Sequence, residues 1–225
     1  MGMSREATVA HILSSAERVF GRVGFGGATM AVIARTATLP KANIHYYFRT
    51  KEELYRAVLE HTLTGWLADA ERWLTPGIAA ADGLRGYIAA KLTFSHERPH
   101  ASRLFAHEVL QGADHLTGYF SSRLRTHIDL IDKTFRLWAA RGEIRPVNTP
   151  HFMFSLWAMT QAYADMNAQF TTVLDRKALT SQDFADAAAH IMMLLETGVI
   201  RQNHGADDPP RNAIQAPLQT TVSTG

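Results

Sequence analysis

The sequence predicts an all-α protein with a small head of short helices, a larger helical body and a polar tail. Apolar residues recur at helical spacing along nearly the whole chain, and strand patterns are scarce. Clusters of Pro, Gly, Asp and Asn separate the periodic segments at ordinary loop lengths. The chain has 225 residues, 46% of them hydrophobic, so it can bury a substantial core. We expect a head at residues 1–50, a body at residues 51–201 and a disordered tail at residues 202–225.

The head begins with an amphipathic helix from about Ser4 to Val23, which a glycine-rich segment ends. Thr29 is the expected N-cap of a second, short helix. A tight connection follows, and Pro40 suits the first turn of a third helix, from Lys41 to Phe48. The head is therefore predicted to hold three helices.

A long helix is predicted to lead from the head into the body and to end near Leu74. Thr50 and Glu53 have the spacing of a capping box, which marks its first turn. Five further amphipathic segments follow, at residues 82–97, 99–111, 116–141, 149–170 and 181–201. The body is thus predicted to be a helical bundle.

The charge is divided unevenly between the two parts. Residues 1–51 carry seven basic and two acidic side chains, whereas the remaining residues carry sixteen basic and nineteen acidic ones. A basic end on a slightly acidic chain is typical of a protein that meets a polyanion. A solvated helix face with a chance asymmetry would give the same count.

The second and third helices of the head have the proportions of a helix-turn-helix, whose second helix enters the major groove of DNA. The residues that begin this helix suit base edges: Asn43 can pair with adenine, Lys41 can reach guanine or phosphate, and Ala42 can touch a thymine methyl group. The expected contacts to phosphate oxygens are Thr29, His45, Tyr46, Tyr47 and Lys51.

Some residues of this motif are expected to be buried instead. Ile33, Ile44, Phe48 and Leu54 are assigned to the core without DNA contact. Tyr46 and Tyr47 are adjacent, so they point about 100° apart on a helix and cannot be buried equally.

Residues 29–34 (TMAVIA) and 41–54 (KANIHYYFRTKEEL) resemble the signature of the TetR family of transcription repressors. The resemblance implies a DNA-binding head on a helical effector domain that forms a homodimer, with double-stranded operator DNA and a small-molecule effector as partners. The family usually has Gly where this chain has Thr38, and often Ser or Thr where it has Pro40. Thr38 is expected to be strained in a left-handed conformation that Gly adopts freely.

The body resembles one subgroup of that family, the repressors of pyrimidine utilisation, through residues 55–67, 99–108, 112–113 and 157–165. That resemblance implies a nucleobase-like or other small planar polar effector. The candidate ligand contacts are Trp66, Arg103, Glu108, Trp157, Gln161 and Asp165.

The chemistry of those side chains suits a flat heterocycle, which needs aromatic faces and an amide or carboxylate for its edge. Trp157, Gln161 and Asp165 follow one another at four-residue spacing and share a helix face. Gln161 can donate and accept hydrogen bonds at once, while Glu108 and Arg103 add charge. The alternatives are that Trp157 fills the core and that the acids pair with arginines at helix crossings.

The last two helices carry apolar stripes, which the resemblance assigns to a four-helix dimer seam. The stripe on the last helix comprises Phe184, Ala187, Ala188, Ile191, Leu194 and Leu195. Ala187 and Ala188 would allow two helices to approach closely. An ordinary core within one protomer is the alternative.

Enzyme, metal and membrane motifs are missing from the sequence. There is no cysteine, no Walker A sequence and no GxSxG. Pro99 interrupts the pair His96 and His100, and His107-Glu108 lacks the second His of HExxH. We therefore expect no catalytic residue, no metal and no cofactor.

No stretch approaches the length of a membrane span, and the N-terminus is amphipathic. A cytoplasmic, ligand-responsive DNA-binding regulator is the prediction. Its rivals are a helical ligand-binding or scaffold protein whose basic head binds an acidic protein partner, and a helical enzyme that acts on a heterocycle.

Overall fold

The computed structural model describes residues 4–201, apart from the side chains of residues 117 and 119–121. The described chain forms ten helices: α1 (Arg5–Gly27), α2 (Met30–Thr36), α3 (Lys41–Tyr47), α4 (Lys51–Trp73), α5 (Ala80–Glu97), α6 (Pro99–Leu110), α7 (Thr117–Ala140), α8 (Thr149–Asp165), α9 (Asn167–Val173) and α10 (Ser181–Gly198). The all-α prediction is confirmed, and the extended pairing within the described residues is one isolated antiparallel bridge, between Ile144 and Ile200. The tail predicted for residues 202–225 lies outside the described residues.

The caps of the head form where the sequence predicts them. Ser4 Oγ accepts a hydrogen bond from the Ala7 N–H, and Thr29 Oγ1 accepts one from the Val32 N–H at 3.2 Å. Gly24 (φ 68°, ψ 176°) interrupts α1 one residue after its predicted end, and a short helical turn then continues to Gly27. Each cap satisfies an otherwise unpaired N–H group of the first helical turn.

The turn between α2 and α3 confirms the predicted strain. Thr38 has a φ of 54°, in the left-handed region that glycine favours. The Leu39 N–H bonds to the Ala34 carbonyl at 3.0 Å, which closes the end of α2. Pro40 occupies the N-cap position of α3, where the family often has Ser or Thr, and it precedes the first turn by one residue. The helix α3 therefore begins without a side-chain cap.

The predicted capping box of α4 forms only in part. Thr50 Oγ1 accepts from the Glu53 N–H at 3.0 Å, as expected. The Glu53 carboxylate accepts from the N–H of Arg49, one residue earlier than a capping box requires, at 2.9 Å. The side chain of Glu53 therefore ties the end of α3 to the beginning of α4.

In the body, α5 is the central helix and packs against α4, α6, α8 and α10. Its glycines permit the close approach of α4. A Cβ atom added at Gly86 would lie 2.2 Å from Cε3 of Trp73, and one added at Gly83 would lie 2.6 Å from the Trp73 carbonyl oxygen. Trp138 is fully buried beside them and donates its indole N–H to the Ile78 carbonyl at 2.9 Å.

Two predictions for the last helices need correction. The predicted helix at residues 149–170 breaks at Met166 (φ −104°, ψ 27°) into α8 and α9. On α10, four residues assigned to a dimer seam are buried within the protomer, so the core alternative holds for Phe184, Ala187, Ile191 and Leu195. Ala188 is half-buried against the same core, whereas Leu194 is exposed.

The core of the head continues into the body. One hydrophobic cluster joins α1, α2 and α3 to α4 and α6, and a second cluster fills the rest of the bundle. The boundary placed at residue 50 stays a prediction, since Leu54, Tyr55 and Val58 of α4 belong to the same cluster as the head. Over residues 4–201, no helix is long and apolar enough to cross a bilayer.

Candidate nucleic-acid interface and ligand site

The outer face of α3 carries most of the predicted DNA contacts. Ile44 is fully buried beneath the helix and Phe48 follows it into the core. Five of the predicted contacts are exposed on α3: Lys41, Ala42, Asn43, His45 and Tyr46. The helix therefore has one buried side and one that is open to a partner.

The two tyrosines differ as their spacing predicts. Tyr46 is 75% exposed, whereas Tyr47 is half-buried and packs against the core of the head. Their rings meet edge to face at 5.0 Å between centroids, so Tyr47 supports the position of Tyr46.

Polar atoms on this face are largely uncommitted. Within the part of the chain that the structure describes, the side chains of Lys41, Asn43 and Tyr46 make no hydrogen bond. His45 Nδ1 lies 3.3 Å from the carbonyl oxygen of Arg49. Thr29 is exposed, and its hydroxyl hydrogen stays available because the oxygen acts as the acceptor in the cap.

Lys51 has an intramolecular role that the sequence did not reveal. Its ammonium donates to the carbonyl oxygens of Phe25 (2.7 Å) and Ala28 (3.1 Å) and lies 4.3 Å from the centroid of the Phe25 ring. It therefore fastens the segment that ends α1 to the beginning of α4. The phosphate contact predicted for Lys51 stays a prediction, and the backbone N–H groups of the first turn of α4 remain the simpler donors there.

In the body, a group of buried and half-buried side chains that we name the polar cluster brings together α4, α5, α6 and α8. Its members are Trp66, Asp69, Tyr87, Lys91, Ser102, Trp157 and Asp165. Three of them, Trp66, Trp157 and Asp165, were predicted ligand contacts. Gln161 lies one turn from both Trp157 and Asp165 on α8 and is half-buried.

Lys91 is the residue of this cluster that sequence reasoning missed. It is 2% exposed, and its ammonium lies 3.8 Å from the centroid of the Trp66 ring. Burial lowers the pKa of Lys91 to about 7, against the opposing fields of Asp69 and Asp165. The signal in the sequence is its place on α5 one turn after the buried Tyr87, where an apolar residue would be expected.

Two donors of the polar cluster lack acceptors. Trp66 Nε1 is buried without a hydrogen-bond partner. The Lys91 ammonium makes no hydrogen bond and no ion pair among the described residues. Because buried polar groups normally have partners, such a pair of donors is typical of a site that a ligand completes.

The acceptors of the cluster are also distinctive. Trp157 donates its indole N–H to the Tyr87 hydroxyl oxygen at 2.8 Å. Asp165 accepts from the Ser102 hydroxyl at 3.0 Å, and burial raises its pKa. One carboxylate oxygen of Asp165 therefore remains for a ligand N–H.

Glu108 and Arg103 have other surroundings. Glu108 is buried and accepts from the Tyr55 hydroxyl (3.1 Å) and from both the backbone N–H (2.9 Å) and the ring of His115. Burial works to raise the pKa of Glu108, but the hydrogen bonds from His115 and Tyr55 outweigh it and hold that pKa below its ordinary value. Arg103 is exposed and bonds to the Pro99 carbonyl of its own helix. Glu108 therefore does not pair with an arginine, as the alternative expected, but ties α4 and the segment after α6 together through Tyr55 and His115.

Two open clefts lie away from the polar cluster. One of about 420 Å³, between α4 and α7, is lined by residues that include Glu71, Arg123 and His127. The other, of about 370 Å³, is lined by Arg18, Arg22, Thr36 and His100. Neither contains a predicted ligand contact. His127 Nε2, at the first cleft, and Trp66 Nε1, in the polar cluster, are both buried without a hydrogen-bond partner. Of these places, only the polar cluster contains predicted ligand contacts.

Comparison with known families matches both parts of the chain. Residues 12–58 match the family described as bacterial regulatory proteins, tetR family, and residues 59–202 match the YcdC-like protein, C-terminal region. The HTH-type transcriptional regulator RutR of Escherichia coli (strain K12) is 34% identical over 188 residues, which cover 84% of this chain and 88% of that protein.

Solved structures show the same fold at lower sequence identity. A bacterial regulatory protein in the tetR family from Rhodococcus RHA1 has a TM-score of 0.66 at 20% identity, covering 85% of this chain and 95% of its own. AibR in complex with isovaleryl coenzyme A and operator DNA has a TM-score of 0.61 at 17% identity, covering 83% and 97%. The arrangement of an N-terminal helix-turn-helix on a helical bundle is therefore shared.

Proposed function

The chain belongs to the TetR family of bacterial regulatory proteins, and from that premise we propose that it is a repressor whose α3 reads operator DNA and whose polar cluster binds a small effector. Members of the family and the matched relatives are transcriptional regulators, not enzymes. Operator DNA lies in the bacterial cytoplasm, which is where we place the protein.

The observation that carries the DNA-binding proposal is the uncommitted outer face of α3. Its exposed side chains, including Asn43 and Tyr46, stand on a helix whose inner side is anchored by the buried Ile44. Such a rigid, polar face suits the major groove, with Asn43 and Lys41 near base edges and Tyr46 and His45 near phosphates. Among structural neighbours, AibR is one whose structure contains operator DNA.

A homodimer would supply two such helices. Exposed apolar side chains on α8 and α10 support a second copy as the partner, since Phe154 is 52% and Leu194 is 46% exposed. Two α3 helices about 34 to 36 Å apart would enter successive major grooves of a pseudo-palindromic operator.

Fluorescence anisotropy with the DNA upstream of the protein's own gene tests the first half of the proposal. We expect binding that weakens linearly with the logarithm of salt concentration and is much weaker for a scrambled duplex. Equal binding to both duplexes would reject operator recognition. Retention of an acidic protein in place of DNA would favour the scaffold alternative.

For the effector, we propose a neutral planar heterocycle with alternating carbonyl and N–H groups, of the pyrimidine class. A ring carbonyl would accept from the Lys91 ammonium and Trp66 Nε1, and ring N–H groups would donate to Asp165 and Gln161. A neutral ligand fits better than a carboxylate because Asp69 and Asp165 already surround Lys91 with negative charge. The resemblance to pyrimidine-utilisation repressors supports the same class.

Effector binding would act on DNA through α4, which carries Trp66 in the body and begins beside α3. A small tilt of α4 changes the separation of the two α3 helices, and a difference of roughly 1 to 3 kcal/mol between two such states changes operator occupancy severalfold to a hundredfold. Calorimetric titration with uracil and thymine tests the assignment. Absence of heat with both, while DNA binding persists, would reject the pyrimidine class and retain the repressor.

A further inference from the structure

We propose a phosphate-binding site at the junction of head and body, formed by Arg18 and Arg22 of α1 and His100 of α6. These residues, with Thr36 of α2, line the cleft of about 370 Å³. The cleft is large enough for a phosphate group together with part of the molecule that carries it. The site does not depend on the proposed function, although its effect on DNA binding does.

The geometry of the cleft is fixed by a close helix crossing. A Cβ atom added at Gly21 would lie 2.8 Å from the Cβ of His100 and 3.1 Å from its carbonyl oxygen, so α1 and α6 touch there. Arg18 and Arg22 are four residues apart and share the face of α1 beside this crossing. Arg18 and Arg22 of the head therefore line the cleft together with His100 of the first turn of α6.

The positive charge in this cleft is not compensated within the described chain. Neither Arg18 nor Arg22 has an acidic partner among the described residues, and Arg18 only reaches the Ser15 hydroxyl at 3.3 Å. Glu17, the neighbouring acid on α1, is bonded to Arg98 instead.

A third arginine extends the positive field on the side of α6. Arg103 lies 3.3 Å from Nδ1 of His100, and among the described residues it likewise has no acid. Burial, followed by the fields of Arg103 and Arg22, lowers the pKa of His100 against the opposing field of Glu17. Because Glu17 is bonded to Arg98, the two arginines that line the cleft keep their hydrogen-bond donors available for an anion.

Phosphate matches this arrangement better than other small anions. Guanidinium groups bind phosphate through paired N–H donors, and a tetrahedral group with several oxygens can serve two arginines at once. The first turn of α6 adds the positive end of a 12-residue helix, with Pro99 at its N-terminal end. A neutral His100 can supply one further donor to the same group.

Occupation of the site would link parts that move relative to each other when the repressor switches. Phosphate would tie Arg18 and Arg22 of the head to α6 of the body across the α1–α6 contact. The phosphate could belong to a free ion or nucleotide, or to the backbone of bound DNA, and an experiment separates these sources.

The first measurement is a titration of the full chain with inorganic phosphate and pyrophosphate at constant ionic strength, followed by phosphorus NMR. We expect saturable binding to the wild type that becomes at least about tenfold weaker in Arg18→Gln/Arg22→Gln, because two charge-assisted contacts are lost. The matched control is Arg125→Gln/Lys133→Gln, which removes the same charge from exposed residues of α7. A thermal melt of each variant verifies that it is folded.

The second measurement is the salt dependence of operator binding by the same variants. If free phosphate does not bind but the slope of affinity against salt falls by about 2 in Arg18→Gln/Arg22→Gln alone, DNA supplies the phosphate. If neither free phosphate nor the salt slope distinguishes this variant from the α7 control, the site is rejected. The phosphate titration remains decisive even if the protein binds no operator.

Discussion

The head and the body place their functional groups in opposite ways. On α3 the polar side chains point outward from a complete core, so Ile44 is buried and Tyr46 is open. In the body the corresponding groups point inward: Trp66 Nε1 is buried without a partner, and the buried Lys91 makes no hydrogen bond among the described residues and only lies over the Trp66 ring. The contrast shows that the side chains of a DNA-binding face need not contribute to the hydrophobic core. The side chains of a small-ligand site, in contrast, occupy positions within the core.

This difference predicts opposite effects of mutation on stability. Removing an exposed group of α3 should cost affinity but little stability, because such a group makes few contacts in the folded protein. Removing an unpartnered buried group should weaken ligand binding and increase stability. In the ligand-free protein, burying that group without a hydrogen-bond partner costs free energy. The mutations below test each side of this comparison.

The largest effect is expected for Asn43→Ala/Tyr46→Ala. Loss of one base contact and one phosphate contact should weaken operator binding by about a hundredfold or more, since a good base contact alone is worth about 1 to 3 kcal/mol. Anisotropy titration measures the affinity, and a thermal melt should show only a small loss of stability, from the edge-to-face contact between Tyr46 and Tyr47. Leu110→Ala, at another strongly exposed position, is the control and should bind normally. Unchanged operator affinity in the double variant would remove α3 from the interface.

The next largest effect is expected for Lys91→Met. Effector affinity should fall at least about tenfold because the ring carbonyl loses a charged donor. Stability should rise by about 1 to 3 kcal/mol, as when a buried ionic group is replaced by an apolar side chain of similar size. Urea unfolding and calorimetry measure the two quantities, and operator binding without effector should be unchanged. A less stable Lys91→Met would contradict the comparison, since it would show that the ammonium is satisfied in the free protein.

The pH dependence of effector binding tests the same residue without altering the fold. The pKa of Lys91 is lowered to about 7, so above that pH the free protein loses the ammonium that a carbonyl ligand prefers. Effector affinity should therefore fall as the pH rises from about 6.5 to 8.5, by at most about tenfold per unit for one proton. The folded state binds this proton less readily than the unfolded chain, so the free energy of unfolding decreases as the pH falls from about 10.5 to about 7 and is unaffected by Lys91 below that range. The slope of affinity should vanish in Lys91→Met.

The sequence predicted the head better than the body, for a physical reason. Helix caps such as Thr29 and Thr50 act within three residues, and the inner and outer sides of α3 follow from helical periodicity alone. The polar cluster depends instead on which helices meet. No local pattern in the sequence predicts that Lys91 lies over the ring of Trp66, 25 positions earlier in the chain. Nor does one predict that Glu108 accepts hydrogen bonds from Tyr55 and His115.

Two lysines of the head provide a smaller test, because one points outward and the other inward. Lys51→Met should destabilise the protein by roughly 2 kcal/mol, because the Lys51 ammonium donates hydrogen bonds to two backbone carbonyl oxygens at the end of α1. Lys41→Met should leave stability unchanged and weaken operator binding, since Lys41 is exposed without such contacts. Urea unfolding measures the stability of both variants, and fluorescence anisotropy measures their operator affinity. If Lys51→Met is as stable as Lys41→Met, the contact between α1 and α4 contributes nothing and Lys51 is free to serve DNA.

The smallest effect is expected at Thr38, where the helix-turn-helix itself is strained. A left-handed conformation costs a non-glycine residue roughly 1 to 2 kcal/mol, and the φ of Thr38 is 54°. Thr38→Gly relieves this cost but gives the unfolded chain more freedom, so a net gain of about 0.5 to 1 kcal/mol is expected. In contrast, Thr36→Gly, at the helical end of α2, should lose stability. If thermal melts show both substitutions to be destabilising, the surroundings of Thr38 stabilise its threonine enough to offset the strain, and the turn is more than a connection between two helices.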